Sequence, residues 1–138
     1  PIIVNLDGDT LGYEIGGPAQ QLDSGGAVTV TDPDSVNFST GNLLVDYATS
    51  GTTNDQLTVN HQGFAAGQIG IIAGGAAGPA GDTIYYGGVG IGTISATNTG
   101  ENGSALEIVF DSDATPEAVS ALLQNIYYQN TGTNAFSG

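Results

Sequence analysis

Ser104–Asn130, SALEIVFDSDATPEAVSALLQNIYYQN, is where the hydrophobic period of the chain changes from two to about three and a half. Ala105–Phe110 reads as a buried strand, and Asp111-Ser112-Asp113 turns the chain. Thr115 is placed to cap a helix, and Pro116 suits the first helical position, where its missing N–H costs nothing. Glu117 puts a negative charge beside the positive end of the helix dipole. Val119, Leu122, Leu123 and Ile126 recur at i, i+3, i+4 and i+7, which predicts one short helix over about 115–126 with a single apolar face. Tyr127 and Tyr128 return the chain to strand chemistry.

Outside this stretch the sequence reads as strands and turns. Apolar or alternating segments fall at Ile2–Leu6, Leu11–Ile15, Gln20–Leu22, Ala27–Thr31, Leu43–Tyr47 and Gln56–Val59. Further ones follow around Ile69–Ile72, Ile84–Tyr86 and Val89–Ile94, within a Gly- and Ala-rich region. Turn signals recur roughly every eight to twelve residues, the spacing of a sandwich or barrel. The whole chain, 1–138, is expected to form one domain without an internal repeat. It opens on Pro1, without an initiator Met or signal peptide, as a mature product, an excised domain or a fragment would.

Composition excludes several roles. The chain has no Lys or Arg against 14 Asp and Glu and one His, for a net charge of −14. Average usage would supply on the order of fifteen cationic side chains. Such a surface repels nucleic acid and anionic membranes, and no apolar run is long enough to insert in a bilayer. Either freedom from trypsin-type cleavage or compositional drift in a secreted repeat protein accounts for the missing cations. With no Cys there is no disulfide, thiolate metal site or thiol catalysis. Residues 63–92 hold neither a phosphate-loop Lys nor GxGxxG, and Gly81–Gly88 is a single imperfect echo of a calcium-binding nonapeptide. His61 lacks a GxSxG partner, so it reads as a structural or exposed imidazole. Without Trp, a sugar platform would have to come from the six Tyr.

Three Asp-x-Asp pairs stand at turns: Asp7/Asp9, Asp32/Asp34 and Asp111/Asp113. Two carboxylates so spaced can converge on calcium, which takes 6–8 oxygen ligands. Asp also favours turns simply by bonding its own backbone, and both readings stand. The Asp7 loop is not an EF-hand, because Leu11 and Pro18 occupy ligand positions.

In order along the chain, Val28-Thr-Val-Thr-Asp-Pro-Asp-Ser35, Gly41-Asn-Leu-Leu-Val45, Asp55-Gln-Leu-Thr-Val59, Ile91-Gly-Thr-Ile94, Ala114-Thr-Pro-Glu-Ala-Val119 and Asn125-Ile-Tyr-Tyr-Gln-Asn130 form a combination. It resembles the cadherin-like, Ig-like tandem domains of giant bacterial surface and secreted proteins. The resemblance implies an extracellular, calcium-assisted antiparallel β-sandwich from adhesins or matrix proteins, without catalysis. Domains of that kind continue with another strand, an Asp-Gly turn and a final strand, whereas this sequence stops at Gly138. Either the piece is cut short or a neighbouring subunit supplies the strand. Apolar Ile2–Leu6 is the expected donor, with the incoming strand pairing near Ile126-Tyr127-Tyr128.

The expectation is therefore a mainly-β, Ig/cadherin-like antiparallel sandwich with one helix, either cut short or completed by a strand from a neighbouring subunit. Its expected role is structural and non-enzymatic, as a subunit of a bacterial surface fibre or biofilm-matrix filament, with copies of itself as partners. A covalently linked spacer repeat of an adhesin and a glycan-binding module are the alternatives. Without Lys, a filament cannot use Lys–Asn isopeptide links.

Overall fold

The apolar period of Leu106–Phe110 places Leu106, Ile108 and Phe110 inward and leaves Glu107 and Val109 outward, and this strand lies next to one edge of the main sheet. A computed structural model describes residues 1–133. In chain order the elements are β1 (Ile2–Val4), β2 (Gln20–Gln21), β3 (Thr29–Thr31), β4 (Asn42–Val45), β5 (Asp55–Val59) and β6 (Ile69–Ile72). They continue with β7 (Thr83–Tyr86), β8 (Val89–Thr99), β9 (Leu106–Phe110), α1 (Pro116–Leu123) and β10 (Ile126–Asn130). Every strand pairing is antiparallel. The sheets are β4-β9-β8-β7-β6, β2-β10-β5 and the small pair β1-β3. The fold is thus the mainly-β, antiparallel architecture expected, consistent with a sandwich.

One core joins these layers. It takes Ile69, Ile84, Ile91, Ile94, Leu106 and Ile108 from the larger sheet, Leu57, Val59 and Ile126 from the smaller, and Val28 and Val30 from around β3. The helix adds Ala118, Val119, Leu122 and Leu123, the face that the sequence period marked. Fully burying each such aliphatic side chain stabilises the fold by roughly 1.5–3 kcal/mol. The helix also closes one edge of β3: Val30 N–H donates to Ser120 Oγ at 2.7 Å, and Gln124 Nε2 donates to the Val28 carbonyl at 2.8 Å. Its start is as read from sequence, with Thr115 Oγ1 accepting from Ala118 N–H at 3.2 Å.

Its end is earlier than expected. Asn125 N–H bonds the Leu122 carbonyl and Asn125 Nδ2 bonds that of Ala121, so two carbonyls of the last turn are satisfied without further helix. Ile126 therefore opens β10, opposite Val59, and remains buried there. The expected incoming strand beside Ile126–Tyr128 also needs correction. Both edges of β10 are paired, with β5 along its whole length and with β2 at Tyr127 and Tyr128. Leu11–Ile15 is not a strand either. Tyr13 Oη donates to the Gly17 carbonyl at 2.6 Å and accepts from Asn130 N–H at 3.1 Å, while Gly16 N–H reaches the Asn130 carbonyl. The segment thus folds over the end of β10 through its tyrosine instead of forming a ladder.

Gly100 brings the two larger sheets together. Leu57 N–H of β5 donates to its carbonyl at 2.8 Å, and its φ of +83° suits glycine. A Cβ at this position would collide with the Leu57 carbonyl oxygen. Gly100→Ala is expected to cost about 3 kcal/mol, from the left-handed backbone and the backbone clash together. Chemical denaturation checks this, and Gly81→Ala (φ +79°, with open space around the added Cβ) isolates the backbone part.

Candidate functional site

The three aspartate pairs lie at turns, and two of them are bonded within the pair. Asp32 Oδ1 accepts from Asp34 N–H at 3.4 Å, and Asp111 Oδ1 accepts from Asp113 N–H at 2.8 Å. Asp32 is held below the usual carboxylate range, first by the Asp34 side chain. Its Oδ2 lies 3.5 Å from the Pro1 nitrogen. Asp9 Oδ2 accepts from Ser24 N–H at 3.0 Å, whereas Asp7 is exposed. Among the described residues no three carboxylate or imidazole side chains gather as a metal cluster. Asp23, which spacing did not single out, follows a different pattern. It is 9% exposed, and its Oδ2 accepts from Val28 N–H, while its Oδ1 is buried without a partner. The Asp9 carboxylate sits on the next residue of the same turn.

The other carboxylate missed in the sequence is Asp55. It begins β5 at an inward position, directly opposite Asn130 and two residues from the Leu57–Tyr128 pair, so the register delivers both partner side chains to it. Oδ1 accepts from Tyr128 Oη at 2.5 Å and Asn130 Nδ2 at 2.9 Å. Oδ2 accepts from Thr52 N–H at 2.7 Å and Thr52 Oγ1 at 3.1 Å. These bonds to the charged form, with Tyr128 first, lower its pKa to about 2. No spacing motif marks Asp55, because its role comes from strand register.

Around Asp55 the Tyr rings gather. Tyr13 meets Tyr128 edge to face at 5.0 Å, and Tyr47 meets Tyr128 at 6.5 Å and 73°. With Asp55 and Asp46 they line a cavity of about 370 Å³. Tyr47 Oη is buried without a hydrogen-bond partner. Burial, then the Asp55 charge, pushes the Tyr47 phenol up to about 12. Asp55 itself is fully bonded and ionised, which does not suit a proton-transfer catalyst.

A second, apolar cleft of about 300 Å³ lies between β1 and β4. Ile3 and Leu43 face it from the two strands, with Val30, Phe38, Phe110 and Leu123 among its other walls. Among the described residues, β1 pairs only with β3 and β4 only with β9, so each presents a free strand edge. Ile2, Ile3 and Val4 are 53%, 54% and 45% exposed, which is unusual for three consecutive aliphatic strand residues. His61 has a structural place: its Nδ1 accepts from Ile71 N–H at 2.9 Å, and its ring stands edge-on to Phe64.

No family model, curated protein or solved structure matches the chain.

The Asp55 cluster predicts a defined acid response. Its folded pKa lies below its unfolded value, so its contribution is complete above about pH 4 and is lost as pH falls towards 2. Between those limits the parent chain should lose roughly 1–2 kcal/mol from this group. Asp55→Asn should flatten that part of the pH–stability curve and cost about 2 kcal/mol at neutral pH, as read by urea unfolding.

Proposed function

We propose that this chain is a structural subunit that assembles with copies of itself outside the cell through β-strand complementation, forming a surface fibre or matrix filament. The observation that carries this reading is β1: a three-residue apolar strand, half exposed, paired on one edge only and set against an apolar cleft. A following Asn5 at φ +65° and a connector through residue 19 without helix or strand give it a place to swing out. In the exchanged form a neighbour's Ile2, Ile3 and Val4 take the register now held in one chain, opposite Thr31, Val30 and Thr29. The contacts are the same within one chain or between two, so concentration and the hinge set the balance.

Charge opposes this assembly. Two copies at −14 each repel, and no Lys or Arg offsets them. Screening by salt, or bound calcium, reduces the opposing term. In this reading calcium binds near the Asp9 and Asp23 turn, where Asp23 Oδ1 is buried without a partner. The extracellular setting is supported by the lack of Lys and Arg, which leaves no trypsin-type cleavage site, and by the resemblance to surface-protein domains.

Electron microscopy and light scattering test the assembly. Filaments or oligomers are expected to grow with concentration and with salt or calcium, and Ile3→Asp is expected to abolish them while leaving the core intact. Monomers of the parent chain under all these conditions would sink the proposal. Calorimetry tests calcium separately: a saturable heat is expected, reduced at least tenfold by the pair Asp9→Asn and Asp23→Asn. An unchanged heat in that double variant would move calcium elsewhere on the chain.

A further inference from the structure

The tyrosine-lined cavity combines three features that point to one ligand chemistry. Its volume of about 370 Å³ lies within the usual range for small-ligand sites, roughly 300–1,000 Å³. Tyr13, Tyr47 and Tyr128 are each half buried and meet edge to face, so their rings stand at steep angles around the space they share. Asp55, 9% exposed, reaches the same cavity and carries a charge that only neutral donors offset. Burying a charge without a counter-ion is costly even when hydrogen bonds satisfy its lone pairs. In this chain no Lys or Arg exists to supply the counter-ion.

The geometry points to a site for an organic ammonium ion, lined by the three Tyr rings and by the carboxylates of Asp55 and Asp46, which supply the charge. Cations are held over aromatic faces within about 6 Å of the ring centroid, most strongly where water is excluded. No Lys or Arg side chain of this sequence can fill the site, so its ammonium comes from another molecule. The site is independent of strand exchange, because β1 does not contribute to its walls.

Ring NMR signals of Tyr13, Tyr47 and Tyr128 report on this cavity. The parent protein is titrated with choline, with n-butylammonium as a stand-in for a lysine side chain, and with neutral 3,3-dimethylbutan-1-ol, all at matched ionic strength. Saturable shifts of the Tyr13, Tyr47 and Tyr128 ring signals are expected with at least one ammonium and not with the alcohol. Tighter choline binding assigns the source as a free quaternary ammonium, and tighter n-butylammonium binding assigns it as a partner's lysine. Tyr47→Leu should weaken binding of the ammonium ions roughly tenfold, whereas Tyr47→Phe, which keeps the ring, should leave it nearly unchanged. Absence of saturation in the parent protein, or an equal response to the neutral alcohol, overturns the assignment whether or not the variants fold.

Discussion

Asp55 is ionised, nearly buried, and held entirely by a phenol, an amide side chain, a hydroxyl and a backbone N–H. That arrangement is the rule for this molecule, because a chain without Lys or Arg must settle its carboxylates on neutral donors. Asp9 takes Ser24 N–H, Asp23 takes Val28 N–H, and Asp82 takes Gly74 N–H. Asp46 takes the N–H of Tyr47. Glu107 is bonded by the side-chain amides of Asn42 and Asn98, and Glu117 by the Tyr86 hydroxyl. Bonds of this kind hold turns and strand ends in place. They leave the charge itself uncompensated, so the electrostatic field of the molecule stays strongly negative.

The same constraint explains where the acidic residues are found. Turns and strand ends expose backbone N–H groups that the ladder does not use, and short Asp side chains reach them. Asp32 and Asp111 occupy such turns, each bonding the N–H two residues on. Larger polar connections then tie distant segments: Ser120 and Gln124 fasten α1 to β3, and Tyr13 fastens the irregular 11–17 segment to the end of β10. Packing supplies the core, and these neutral bonds determine which edges are closed.

Periodicity made β9, the start of α1 and most strand positions legible, because those features depend on residues close in sequence. Thr115 and Pro116 act within one turn of the helix, and the alternation of Leu106, Ile108 and Phe110 is local too. The misreadings have a common cause in tertiary partners. Ile126 fits a helix period, but pairing with Val59 and the capping by Asn125 draw it into a strand. Leu11–Ile15 alternates like a strand, but the Tyr13 hydroxyl finds β10 first. Asp55 was silent because its significance depends on Asn130 lying opposite it across the sheet. The sequence marks the Tyr residues only as a group, and the fold shows which three share a cavity with Asp55.

The position of β10 also bears on how the chain reaches its native state. The smaller sheet is centred on the last strand of the described residues, which pairs residue 127 with residue 21 and residue 126 with residue 59. During synthesis β2 and β5 must wait until Ile126–Asn130 has been made before their ladder partner appears. Such distant pairings slow folding and leave strand edges unpaired for longer, the state in which β-rich chains most readily stick together. A dense negative charge keeps unfinished copies apart during that interval. The composition that burdens the folded molecule therefore protects the folding one.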